Sequence, residues 1–341
     1  LDMKVILDWV PNHSAWDHPW MTEHPDFYYV DPETGEVSNG RNDHNEATDW
    51  TDVAELDYSN LEMQEAMRQD MLYWLEQFHI DGFRCDMAGG QTEAFWSETI
   101  QALRDHSPEI FMLAESNFPQ MHDVGFDATY GWEFHHLINE VARGDKGTDE
   151  LHQYILRDAD KFPKDSYRLL FIDNHDENSW NGTVASRLGN NAHAAYVLCA
   201  TLPNAIPLIY SGQEVGLNHS LRFFERDTID WSLDSQADFY GLMNQLNSTL
   251  PALANGANGG SYQAITSNQH RVFAFARKTQ DRDVVMVVNF SAKDQDITIE
   301  GAPSGNYHDA FTGEGMRLSA DESSLFLPAH GYALLVNDGG H

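Results

Sequence analysis

The chain has 341 residues, 41% of them hydrophobic and 12% aromatic, enough to bury a sizeable core in one large domain with a smaller companion. Lys and Arg total 20 against 54 Asp and Glu, a formal charge of −34 spread along the chain, and that excess of negative charge excludes a nucleic-acid partner. No run reaches the about 18 to 20 apolar residues of a membrane-spanning helix, and the two cysteines, Cys85 and Cys199, give neither a disulfide framework nor metal-ligand spacing.

The first predicted element is "VILDWVPNH" (Val5 to His13), an apolar run ending in polar residues, as a buried parallel strand with chemistry at its carboxyl end would. Ser14 to Tyr58 breaks the pattern with Trp, His, Pro, Asp and Gly in irregular order; it is too long for an ordinary loop and is predicted to be an inserted subdomain. Ser59 and Glu62 predict a capping box that opens a helix, along which Met63, Met67, Met71, Trp74 and Phe78 recur at spacings of three and four. "GFRCD" (Gly82 to Asp86) then reads as a second strand. Alternation puts Arg84 and Asp86 on one face and Phe83 and Cys85 on the other. A charged face inside a fold is costly unless paired, and such faces mark reaction sites.

Further strands are predicted at "IFMLAE" (Ile110 to Glu115), "RLLFIDNHD" (Arg168 to Asp176) and "IPLIYSGQE" (Ile206 to Glu214), and helices at Thr92 to His106, Asp149 to Ala159, Ala192 to Leu202 and Ser235 to Leu250. Strand and helix in alternation mean an α/β fold. After "ANGANGG" the texture becomes alternating, as in "VFAFAR" and "DVVMVVNFS", which predicts an all-β carboxyl-terminal module. Four strand ends carry acids: Asp8, Asp86, Glu115 and Asp176. In a (β/α)8 barrel all strand ends converge on one face, so these four would meet.

With these strings in view, the chain resembles the α-amylase family of retaining α-glucan glycosidases. "DWVPNH", "GFRCD", "LAE" and "FIDNHD" are similar to the family's four conserved regions in the family's order, and "FFERDTIDW" (Phe223 to Trp231) is similar to the loop after its last barrel strand. The resemblance implies a (β/α)8 TIM-type barrel over residues 1–254, entered at its third strand with the first two missing from this chain. It also implies a short domain B at 14–58 and a C-terminal β-sandwich at 258–341. It further implies hydrolysis of α-1,4-glucosidic bonds with retention, with Asp86 as nucleophile, Glu115 as general acid and base, and Asp176 as the third, transition-state-stabilising acid. Arg84, His13 and His175 would line the sugar subsite. Retaining hydrolysis needs one carboxyl ionised and another protonated, and a cation beside Asp86 serves the first need.

Asn12 matches the family position that often holds a structural Ca²⁺, and it is equally a turn residue; Asp52 is a second candidate ligand. Four residues after Asp86, where the family commonly has His, this chain has Gly90. Trp9, Trp16, Trp20, Trp50 and Trp180 are candidates for stacking on sugar, of which two at most are expected to do so. The partner implied is an α-glucan, the location secreted or periplasmic, and the charge is that of a protein from a high-salt setting or of a merely soluble acidic surface. Transglycosylation, α-1,6 cleavage and a non-catalytic carbohydrate-binding role are the alternatives, the last disfavoured because all three acids are present.

Overall fold

The computed structural model describes residues 3–42, 44–233, 235–280 and 282–339; the outermost ends of the predicted domains, residues 1–2 and 340–341, lie outside the described residues. The chain divides into two units, Leu1–Tyr130 and Gly131–His341.

The first unit runs β1 (Ile6–Trp9), β2 (His13–Ala15), α1 (Trp20–Glu23), β3 (Val53–Glu55), α2 (Leu61–Phe78), β4 (Gly82–Cys85), α3 (Glu93–His106), β5 (Phe111–Ala114), α4 (Gln120–Asp123) and β6 (Ala128–Tyr130). Strands β1, β4, β5 and β6 lie side by side in that order, all parallel. Parallel neighbours need crossover helices, and α2 and α3 supply them. Met63, Met67, Met71 and Leu75 of α2 and Phe95, Ile100 and Leu103 of α3 share one core with Phe83, Cys85, Met112 and Ala114 of the strands. The apolar face of "GFRC" is thus committed to the helix layer. Gly82 has φ +152°, and a Cβ there would stand 1.9 Å from the Phe111 carbonyl oxygen, so only glycine lets β4 run this close to β5.

Helix α2 starts one residue later than the capping box predicts. Asn60, not Ser59, is the N-cap, its side-chain oxygen accepting from the amides of Glu62 and Met63. Strand β6 is absent from the predicted elements because three residues carry no readable period. The irregular segment is built around an antiparallel pair, β2 with β3, and isolated bridges such as Val30 with Val37.

The second unit contains α5 (Trp132–Arg143), α6 (Asp149–Lys161), β7 (Tyr167–Leu170), α7 (His175–Trp180), α8 (Val184–Leu188), α9 (Ala192–Thr201), β8 (Ala205–Pro207) and α10 (Ala237–Thr249). Strands β7 and β8 are parallel. Helix α9 is apolar all round and buried from Ala194 to Thr201, as an internal helix must be. Eight antiparallel strands follow: β9 (Ser261–Ser267), β10 (Val272–Lys278), β11 (Val284–Asn289), β12 (Gln295–Glu300), β13 (Gly305–Asp309), β14 (Gly315–Leu318), β15 (Ser323–Leu327) and β16 (Tyr332–Asn337). They form the all-β sandwich, in spatial order β14-β13-β16-β11-β10-β9-β12-β15. In β10, Val272, Ala274 and Ala276 point into the sandwich's own core, while Phe273 and Phe275 join the core of α5, α6 and α9. That double commitment explains why the run is apolar at every position rather than alternating with polar residues. Among the described residues no helix is long and apolar enough to cross a membrane.

Candidate active site

Backbone pairing sets the acids at the strand ends. The amide of Asp86 donates to the Trp9 carbonyl at 2.8 Å and that of Glu115 to the Cys85 carbonyl at 2.9 Å, so the parallel ladder runs one residue past each strand. In register Asp8 sits opposite Arg84. The Arg84 guanidinium, only 8% exposed, joins these acids: Nη1 lies 2.8 Å from Asp8 Oδ1 and 2.7 Å from Asp86 Oδ1, and Nη2 lies 2.8 Å from Glu115 Oε2. Nε donates to the Tyr130 hydroxyl at 3.1 Å, and the Met87 amide donates to Glu115 Oε2 at 3.0 Å. Three carboxyls therefore share one cation. Burial works against the charge on Arg84, but Tyr130, Glu115, Asp86 and Asp8 outweigh it and hold the guanidinium above its ordinary value.

Met87 takes a left-handed conformation, φ 46°, immediately after Asp86; a non-glycine residue held there by its surroundings is a feature that clusters at functional sites. His13 stands edge-on to Trp50 with ring centroids 5.9 Å apart. Burial pulls its pKa below the ordinary value against the opposing pull of Asp86 and Asp52.

Asp176 and His175 belong to the second unit, in the first turn of α7, with His175 Nε2 3.3 Å from Asp176 Oδ2. The turn is anchored from beneath. Asn174 caps it by accepting from the Glu177 amide at 2.7 Å, Glu177 meets His135 at 3.0 Å, and Asp173 meets Arg187 at 2.6 Å. Burial pushes Asp173 up to about 6 despite Arg187, because desolvation of a carboxylate this deep exceeds what one partner returns.

The sequence matches the α-amylase catalytic-domain family over residues 1–245 and the maltogenic amylase C-terminal domain over residues 262–334. The chain belongs to the α-amylase family. It is 27% identical over 339 residues to α-amylase MalA of Haloarcula japonica, covering 95% of this chain and 49% of that protein. It is 25% identical to α-amylase 2 of Dictyoglomus thermophilum, covering 91% and 56%. The chain thus spans about half the length of the curated relatives it matches. Among solved structures it is similar to the noncanonic maltogenic α-amylase AmyB of Thermotoga neapolitana, with TM-score 0.84, 23% identity, and coverage of 98% of this chain and 78% of that one. The parallel strands are accordingly those of an α-amylase catalytic domain.

The family's metal position holds a hydrogen-bonded group in this member. Asn12 is buried; its amide nitrogen donates to the Arg41 carbonyl at 2.9 Å and to Glu55 Oε2 at 3.2 Å, and its oxygen accepts from Gln91 Nε2 at 3.1 Å. The carboxylate beside Asn12 is that of Glu55; Asp52, the second candidate from the sequence, is exposed and makes no hydrogen bond to Asn12. Burial pushes Glu55 up to about 7. Gln91, the residue after Gly90, is buried, and its Oε1 has no hydrogen-bond partner. These are hard oxygen donors of the kind Ca²⁺ accepts, with a single carboxylate among them. No cluster of three or more His, Cys, Asp or Glu suited to a metal occurs among the described residues.

Of the tryptophans proposed to stack on sugar, Trp9 packs on Phe83 and donates to Met67 Sδ, and Trp20 packs edge-on to Phe27. Both serve the core. Trp50 stands beside His13, Trp16 donates to the Thr51 carbonyl, and Trp180 is 59% exposed. Tyr130, Glu55 and Gln91 were not among the residues read as functional. Each lies far along the chain from its partner, and only Tyr130, in an apolar triplet, carries even a weak local signal.

Proposed function

We propose that the protein hydrolyses α-1,4-glucosidic bonds of starch, maltodextrins or related α-glucans with retention of configuration. The observation that carries this reading is the single guanidinium of Arg84 holding Asp8, Asp86 and Glu115 at the carboxyl ends of adjacent parallel strands. Asp86 and Glu115 sit on the two terminal nitrogens of one planar group, and retaining hydrolysis calls for a carboxyl separation of about 5 to 5.5 Å. Glu115 protonates the glycosidic oxygen as the Asp86 carboxylate attacks the anomeric carbon; the bond to the leaving sugar breaks and a glycosyl ester on Asp86 forms. Glu115, now a carboxylate, takes a proton from water, whose oxygen attacks the anomeric carbon and releases Asp86. Asp176, assigned by its motif, stabilises the positive charge developing on the ring, and Arg84, His13 and His175 contact the reacting sugar. The family match and the names of the relatives support the same reading.

A structural Ca²⁺ at the inserted segment would take oxygens from Asn12, Glu55 and the Arg41 carbonyl, stiffening that segment. Melting in Ca²⁺ against melting in chelator tests it: a rise with Ca²⁺ that Asn12→Ala removes is expected, and coincident curves exclude the ion. For the catalytic assignment, Asp86→Ala in the full-length protein is expected to abolish turnover of soluble starch, and a 2-fluoro glucosyl fluoride to label Asp86. Label on Glu115 or Asp176, or an inverted anomer by NMR, would sink it.

A further inference from the structure

His135 lies on α5, is 1% exposed and belongs to none of the four motif strings. Its ring is held on every side. It stacks on Phe171 with centroids 4.8 Å apart and planes at 22°, and Trp132 stands edge-on to both, 5.0 Å from Phe171 and 6.0 Å from His135. Nδ1 lies 3.2 Å from the Phe171 carbonyl oxygen, and Nε2 lies 3.0 Å from Glu177 Oε2. Two donors also approach Nε2, Asn139 Nδ2 at 3.2 Å and Arg187 Nη1 at 3.5 Å, but they already donate to the His135 carbonyl at 2.8 Å and to the Ile172 carbonyl at 2.9 Å. Burial works to raise the Glu177 carboxyl, yet His135 and Arg187 outweigh it and hold that group below its ordinary value, so it is an ionised acceptor. The nearest neighbour of each ring nitrogen is therefore an oxygen, and the ring answers both by donating from both, as the imidazolium.

These two contacts tie together the segment that carries Asp176. Phe171 follows β7, Glu177 is in the first turn of α7, and His175 and Asp176 lie between them. The other oxygen of Glu177 accepts from Asn181 at 3.1 Å, which fixes the carboxylate on both sides. A helix of six residues does not hold itself, since isolated helices shorter than about 12 to 15 residues are marginal in water. Side-chain anchors must place it. Glu177 is buried, whereas the side chains of His175 and Asp176 are 41% and 34% exposed, so the turn is pinned by one residue and presents its neighbours. Net stability does not explain such a pair, because well-packed apolar side chains of the same volume often serve the fold as well or better. Fixed geometry does.

We propose that His135 is a positioning residue for the reaction: by joining the Phe171 carbonyl to Glu177 it fixes the first turn of α7, and with it the place of Asp176 as positive charge develops on the sugar. The inference rests on the α-glucan reading above and on the role that the motif gives Asp176. It adds a residue buried away from substrate, acting through a helix turn.

The test uses the full-length protein on soluble starch and replaces both members of the pair together. His135→Phe alone strands the buried Glu177 carboxylate and is expected to lower the urea midpoint. His135→Phe with Glu177→Met removes both charges at similar volume and is expected to bring the midpoint back towards that of the parent, while kcat stays down on the order of tenfold to a hundredfold and KM changes less. Glu177→Gln keeps an acceptor oxygen beside Nε2 and is expected to retain most of kcat. A double variant with the midpoint and the kcat of the parent overturns the proposal, because the pair then serves the fold alone. A loss confined to KM overturns it too, since a misplaced third acid lowers kcat. If the double variant does not fold, His135→Gln, whose one amide group reaches only one of the two oxygens, takes its place; a loss of kcat on the order of tenfold is expected, and an unchanged kcat overturns the proposal. No turnover of starch by the parent overturns the α-glucan reading and this proposal with it; every other outcome leaves that reading standing.

Discussion

Arg84 is the residue on which the charge balance at the first unit's strand ends depends, because one buried cation answers Asp8, Asp86 and Glu115 together. Removing it leaves carboxyls crowded at the strand ends with no counter-charge. Breaking a buried ion pair from one side costs about 3 to 5 kcal/mol; Asp8 is 56% exposed and can turn to water, so Arg84→Leu is expected at the low end of that range by urea unfolding. Arg84→Lys keeps a charge but loses the planar fork that reaches two sides at once, and it is expected to recover stability more than turnover. A variant as stable and active as the parent would contradict this account. Asp173 gives a prediction about pH. Burial raises it from 3.8 to about 6 in the native state, so between those values the folded chain holds a proton that the unfolded chain has released. Its contribution to stability is fully present below pH 3.8 and is lost as pH rises through about 6. Asp173→Asn, which cannot titrate, resembles the protonated side chain that the folded parent carries below about 6 and lacks this pH dependence. Relative to the variant, the parent should lose up to about 3 kcal/mol of stability as pH rises across that window. Urea unfolding of both proteins at intervals of pH measures it, and parallel curves would show that Asp173 does not titrate there.

At the scale of elements, the start of α2 separates two residues that the sequence pattern treats as equivalent. Ser59 and Glu62 have capping-box spacing, yet Ser59 is occupied in the preceding turn, its amide donating to Asp57 at 2.8 Å, and Asn60 carries the extended backbone of an N-cap. Asn60→Ala is therefore expected to cost about 1 kcal/mol, and Ser59→Ala no more than a few tenths; thermal melts of the two variants rank them, and the reverse order would restore the capping box. Helix α3 follows its prediction closely, with Thr92 accepting from the Phe95 amide at 3.2 Å as its N-cap. The difference is physical. Thr92 has no competing turn beside it, whereas Asp57, Ser59 and Asn60 are three side chains able to cap, and the local backbone decides which one does. Helix α5 is absent from the predicted elements although Phe134, Leu137, Ile138 and Val141 recur at spacings of three and four, the same pattern that found α2.

The whole molecule carries 54 acidic against 20 basic side chains, so most carboxylates face like charge. That repulsion raises the free energy of the folded state more than that of an expanded chain, in which the charges stand further apart. Salt shortens the screening length from about 30 Å at 0.01 M to about 3 Å at 1 M. Melting temperature is accordingly expected to rise with NaCl up to molar concentration. Melts at about 0.05, 0.5 and 2 M, bracketing that range, measure it, and a flat or falling series would mark the charge as serving solubility alone.

By itself the sequence determined where five of the six described parallel strands lie, that Arg84 and Asp86 share a face, that an insertion separates β1 from α2 and that the chain ends in a β module. Each of these is written in residues a few positions apart, where the periods of strand and helix operate. It also carried the four motifs that mark the family. Only the tertiary structure decided that Arg84 serves Asp8 and Glu115 as well as Asp86, that Tyr130 completes its hydrogen bonding, that Glu55 rather than Asp52 meets Asn12, and that Trp180 gathers Phe223 and Phe224. Those partners stand tens of residues apart. Nothing in the local period of either partner specifies the other; the contact exists because backbone pairing and core packing bring two distant segments together, and the side chains then settle their charges and hydrogen bonds with whatever that packing has placed beside them.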